Sequence, residues 1–113
     1  MTAPLREPTF LVLTALAEEP QHGYAVLEDV ARMTGGRVRL RAGTLYSALD
    51  RLRTEGLIEV EREEVVQSRL RRYYRLTGLG EKLLAAESAR LREQASLAEA
   101  RLRTRHQLGG SPA

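Results

Sequence analysis

Residues 43–76 read GTLYSALDRLRTEGLIEVEREEVVQSRLRRYYRL, and the fold turns on how this stretch is parsed. Over residues 43–56, Leu45, Ala48, Leu49 and Leu52 fall on one side of a helix at about 100° per residue. Gly43, Ser47, Asp50, Arg51 and Thr54 fall on the other side. That outer face is short, polar and partly basic, so it can lie close against a groove, whereas a helix meant only for solvent more often carries long Glu and Lys. Gly56 ends the helix. Residues 57–62 and 70–76 then alternate like strands, with Leu70, Arg72, Tyr74 and Leu76 on one face and Arg71, Tyr73 and Arg75 on the other. The connection between them lacks Gly, Pro, Asn and Asp, which predicts a link longer than a two-residue turn.

Upstream, Pro8 suits a first helical turn, and the apolar run Phe10, Leu11, Leu13, Thr14, Leu16, Ala17 continues to Glu18-Glu19-Pro20, giving a well-buried first helix. After a turn at residues 20–23, Tyr24, Leu27, Val30 and Ala31 recur at helical spacing until Gly35-Gly36. Three helices followed by a hairpin predict a winged helix-turn-helix, mainly α with a small β-hairpin (α+β). Downstream, Thr77 is a fitting N-cap. Leu84, Ser88, Leu91, Ala95, Ala98 and Leu102 then mark an a/d seam. A helix over residues 78–105 would be ~40 Å long, more than so small a domain can cover. It therefore wants a partner, most simply its own copy, and Leu84, Leu91, Ala95, Ala98 and Leu102 are the candidate dimerisation residues. The expected organisation is a DNA-binding winged helix-turn-helix over residues 1–76, a long dimerisation helix over 77–105 and a disordered tail over 106–113.

The chain has 113 residues, with 18 basic against 15 acidic side chains and a net charge of +3. Its distribution says more than its total: residues 1–36 carry −3, residues 37–75 carry +4 from ten arginines against six acids, and residues 76–113 carry +2. All the cations but Lys82 are arginine, whose planar fork suits phosphate. A codon bias would explain the residue type equally well, so position decides. Arg37, Arg39 and Arg41 precede the third helix, and Arg69, Arg71, Arg72 and Arg75 lie on the hairpin, a plausible phosphate footprint against the alternative of a solvated charged face. The absence of cysteine excludes disulfide scaffolds, zinc knuckles, iron–sulfur clusters and thiol nucleophiles. No apolar run approaches the roughly 18 residues of a membrane span, and MTAPLREP lacks a signal-peptide layout, so a cytoplasmic protein is expected. His22 and His106 stand far apart, and no metal helix, phosphate loop or nucleophile elbow occurs; neither enzyme activity nor a metal or cofactor is expected. His22 reads as a turn residue whose ring caps locally, with a phosphate contact as its second use.

His22-Gly23-Tyr24, Gly43-Thr44-Leu45-Tyr46, Leu49, Arg51-Leu52, Glu55-Gly56-Leu57-Ile58, then Tyr73-Tyr74-Arg75-Leu76-Thr77 with Gly80, resemble the PadR family of winged-helix transcriptional regulators over residues 8–84. The resemblance implies a dimeric repressor whose third helix enters the major groove, with the hairpin wing along the flanking backbone and a C-terminal helix against the partner. Gly43, Thr44, Tyr46 and Ser47 match the start of the family's recognition helix, and Arg71 and Arg72 match its basic wing. The Arg-Leu-Arg at Arg51 to Arg53 has Arg where the family usually has an acid, and Val65-Val66-Gln67 make a more apolar wing tip than usual. Both departures bear on operator preference. The last helix has no aromatic residue, which argues against carrying over an aromatic-drug pocket, and no residue is assigned to a small-molecule effector.

The expected function is thus a homodimeric, operator-binding repressor, with release by a small-molecule effector as a family expectation. The alternative is a winged-helix module that docks a protein and no DNA. The candidate DNA-binding residues are His22, Arg41, Gly43, Thr44, Tyr46, Ser47, Arg51, Arg69, Arg71 and Arg72. Arg51 is the candidate base reader, and Tyr46 and Arg41 are candidates for holding phosphate.

Overall fold

A computed structural model describes residues 4–109. The elements run α1 (Glu7–Glu18), β1 (Gln21–His22), α2 (Gly23–Met33), α3 (Ala42–Thr54), β2 (Ile58–Val66), β3 (Arg69–Leu76) and α4 (Gly78–Gly109). The winged helix-turn-helix expected from residues 43–76 is present. Leu45, Ala48, Leu49 and Leu52 form the buried face of α3. The three leucines meet Val12, Leu13 and Leu16 of α1, Val26 and Val30 of α2, Leu57 just before β2, and Ile58 and Tyr74 of the sheet in one largely aliphatic core. Burial of these branched side chains drives the assembly.

The sheet has three antiparallel strands in the order β1-β3-β2. The two residues of β1, read from the sequence as a turn, pair Gln21 with Tyr74 and His22 with Tyr73, and so tie the start of α2 to the wing. Gln21 strengthens the tie: its side-chain amide donates to the Ala15 carbonyl at 2.7 Å and to Asp29 at 3.0 Å.

The wing tip corrects one expectation. The strands extend to Val66 and Arg69, leaving only Gln67 and Ser68 between them, with φ of 52° and 64°. Two successive left-handed residues give the turn whose twist matches that of the flanking strands, and the hairpin adopts it without the usual Asn or Gly. Pairing along eight registered positions outweighs the local strain. Between Val60↔Tyr74 and Arg62↔Tyr73 the register shifts, so Glu61 is an extra residue that bends β2 at the base of the wing.

Thr77 caps α4, accepting the Gly80 N–H at 3.1 Å while its hydroxyl donates to the Gly56 carbonyl at 2.6 Å. Gly80 is buried so tightly that a methyl group there would overlap the Leu57 carbonyl oxygen. Leu83 and Leu84 pack on the core, and the buried Glu87 accepts the Leu5 N–H and pairs with Arg90. Residues 91–109 are exposed on every side. The long axis of the molecule is accordingly 65 Å against 31 and 21 Å for the other two. The helix runs past Arg105 to Gly109, so residues 106–109 are helical where a disordered tail was expected; residues 110–113 of that tail lie outside the described residues.

Candidate nucleic-acid interface

The outer face of α3 is built as its sequence requires. Gly43, Ser47, Asp50 and Thr54 point within about 30° of directly away from the core, and Tyr46 and Arg51 stand roughly 70° off on opposite sides. All six are exposed. Arg41 is the N-cap residue but makes no side-chain cap, so the first-turn N–H groups of α3 stay open toward an anion, and Arg41 itself is exposed.

On the wing side, α3 and β3 frame a cleft of about 650 Å3 lined by His22, Tyr24, Tyr46, Asp50, Arg69, Arg71, Arg72 and Tyr74, among others. On the opposite side, Gly43, Thr44, Ser47 and Arg51 border a second groove against Arg6, Pro8 and Thr9 of the N-terminal segment. The structure therefore gathers His22, Tyr46 and the wing arginines in one place and Gly43, Thr44, Ser47 and Arg51 in another. Arg41 lines neither. Ten candidates thus fall around a single projecting helix.

His22 caps α2: its Nδ1 accepts the Ala25 N–H at 3.3 Å, and its ring meets Tyr73 edge-on at 5.4 Å. Burial, assisted by the nearby Arg71 charge, holds its pKa below the ordinary 6.5, against a smaller opposing effect of Glu28. Tyr73 is covered from its other neighbour by the Arg62 guanidinium, 3.9 Å from the ring centre. A row of His22, Tyr73 and Arg62 thus crosses all three strands and fixes the wing relative to α2. Gly23 completes the site by close approach: a Cβ there would stand 2.6 Å from the Tyr46 hydroxyl, so only glycine lets that phenol lie across the start of α2.

The wing cations are unequal. Arg72 pairs with Glu63, Arg75 with Glu59, and Arg62 with Glu61 and Glu64. Arg69 and Arg71 have no ion pair among the described residues. Arg37, part of the expected footprint, is held by both oxygens of Glu7. Arg51, the expected base reader, donates to Thr9 Oγ1 at 2.8 Å and lies 3.4 Å from Glu55, so its fork is already engaged on the α1 side.

Tyr24, which shares the helical spacing of Leu27, Val30 and Ala31, is 63% exposed and lines the cleft. The spacing carries that signal: Tyr24 stands about 160° from Val26 on the helix. Of the candidate dimerisation residues, Leu84 packs on its own core, while Leu91, Ala95, Ala98 and Leu102 project on the exposed part of α4. Among the described residues no helix is long and apolar enough to cross a membrane, and no cluster of His, Asp or Glu is placed to hold a metal.

Comparison with known proteins agrees with this architecture. A transcriptional regulator of Mycobacterium tuberculosis, Rv3488, is 34% identical over 84 residues, covering 74% of this chain and 75% of that one. The crystal structure of a PadR family transcriptional regulator from Eggerthella lenta superposes with a TM-score of 0.71 at 29% identity, covering 84% of this chain and 80% of that chain. The fold is also that of Bacillus subtilis PadR in complex with operator DNA, with a TM-score of 0.65, 22% identity and coverage of 72% of this chain and 47% of that one. The Transcriptional regulator PadR-like family matches residues 12–86, a span that holds α2, α3, the wing and the first turns of α4. On this match, and with the three-helix core and wing that carry it, the chain belongs to the PadR-like family of transcriptional regulators.

Proposed function

We propose that the protein is a cytoplasmic, homodimeric repressor that binds a two-fold symmetric DNA operator and is released by a small-molecule effector. The observation that carries the DNA reading is the projecting outer face of α3: its short polar residues stand between two grooves, and in the wing-side cleft Arg69 and Arg71 make no ion pair among the described residues. Inserted in a major groove, α3 would present Gly43, Ser47, Asp50 and Thr54 to base edges while the wing and Arg41 meet flanking phosphates. The Bacillus subtilis PadR structure with operator DNA supports this docking mode by fold. Dimerisation rests on the uncovered stretch of α4, where Leu91, Ala95, Ala98 and Leu102 await an apolar partner. Two copies would set their α3 helices about one helical turn, roughly 34 Å, apart.

Salt titration of binding to duplex DNA tests the reading. Affinity should fall steeply with salt, and Arg69→Ala or Arg71→Ala should each lower the log–log slope by about 1 per copy. Arg72→Ala should lower it less, because Glu63 already shares that charge. No binding to any duplex at low salt would sink the proposal in favour of a protein-docking module.

A further inference from the structure

We infer that Asp50 is a specificity-determining residue that selects cytosine at one position of each operator half-site. This rests on the DNA-binding reading of the same face. Asp50 is exposed within about 30° of the outermost line of α3, nearer to it than Arg51. Its carboxylate makes no hydrogen bond or ion pair among the described residues; only its backbone carbonyl is used, accepting the Thr54 hydroxyl at 3.0 Å. Yet it lines the same cleft as Arg69, Arg71 and Arg72. An unpaired anion beside cations poised for phosphate is repelled by the DNA backbone, so a docked helix gains from Asp50 only where the groove offers a donor.

The chemistry narrows the target. A carboxylate only accepts hydrogen bonds, and the major groove offers two donors, the amino groups of cytosine and adenine. Beside the adenine amino group lies the N7 lone pair, which repels a second carboxylate oxygen, whereas cytosine has a C–H there. Guanine and thymine present acceptors and would meet the charge unfavourably. The arginines of the wing, which line the same cleft, make the approach feasible, since they would neutralise the nearby phosphates.

The test selects binding sites from a randomised duplex pool with the full chain and with Asp50→Ala and Asp50→Asn. Both substitutions are at an exposed position and keep the helix. The wild type should show cytosine preferred by roughly 5- to 100-fold at one symmetry-related position in each half-site. Asp50→Ala should level that position alone while binding to bulk DNA holds or rises. Asp50→Asn, which can donate and accept, should move the preference toward adenine. A wild-type profile that both variants reproduce overturns the assignment of Asp50 but not DNA binding. A wild type that selects no sequence overturns the DNA reading and this assignment with it.

Discussion

At Gly80 one methyl group is enough to separate α4 from the body of the protein. Its Cβ would fall on the Leu57 carbonyl, backbone that already accepts the Thr77 N–H, so no flexible side chain can give way. Gly80→Ala should therefore lower unfolding stability by about 3 kcal/mol in denaturant titration. Gly78→Ala, which meets nothing within 4 Å, should change it little. The histidine cap gives a pH dependence of definite sign. The folded protein holds the His22 pKa below 6.5, so the unfolded chain takes up the proton first as pH falls. The stability contributed by neutral His22 is complete above about pH 6.5 and is lost as pH drops through the lower folded value. His22→Asn keeps an N-cap acceptor and removes the titration. Melting temperatures of the variant should therefore decline less between pH 7 and 5, and an unchanged decline would refute the cap. The cap of His22 was legible in sequence because its partner, the Ala25 N–H, lies three positions away; its packing on Tyr73, fifty-one positions away, was not. Gly80 was legible as a motif residue, but its close approach to the Leu57 carbonyl was not.

Helical elements were legible because one periodicity governs them: Leu45, Ala48, Leu49 and Leu52 announce both α3 and its buried side. The sheet was less so. β1 is two residues long and exists only because β3 offers an edge, which no local pattern reports. The wing turn was misread for a related reason, since Gln67 and Ser68 have no preference for positive φ and adopt it under the pull of the ladder on both sides. That strain is recoverable. Replacing Gln67-Ser68 by Asn-Gly should stabilise the hairpin by about 1 kcal/mol, because both residues enter the left-handed region readily. Amide exchange along residues 63–72 should slow correspondingly. If exchange there is unaffected, the turn is not the strained element that its dihedral angles describe. For the candidate site, the outer face of α3 was readable as a wheel, but the engagement of Arg51 by Thr9 was not, because that contact spans forty-two positions and depends on how α1 crosses α3.

Across the whole molecule, charge and shape divide the labour. Glu18 and Glu19 at the C-terminal end of α1 line a groove with Glu61, Glu81 and a single cation, Arg75, separate from the cleft that holds Arg69, Arg71 and Arg72. The modest net charge thus conceals one side that attracts phosphate and another that repels it, and the acidic groove continues along Leu84, Ala85 and Ser88 of α4. An antiparallel pairing of two α4 helices centred near Glu93 would set Leu84 opposite Leu102, Ser88 opposite Ala98 and Leu91 opposite Ala95 of the second copy. The same register brings Arg105 of the second copy toward Glu81, joining the basic end of one helix to the acidic groove of the other. Leu91 is 40% exposed and Leu102 55% exposed in the single chain, so neither position is needed for its fold. Leu91→Glu combined with Ala98→Glu should leave helicity and melting of the winged domain near those of the parent. It should convert a species of about twice 12.7 kDa into one of 12.7 kDa in sedimentation equilibrium at micromolar concentration. Operator affinity should fall with it, since one α3 then holds one half-site, and the salt slope should fall to about half. A parent protein that sediments at 12.7 kDa, or a double variant that stays dimeric, would place the partner of α4 elsewhere.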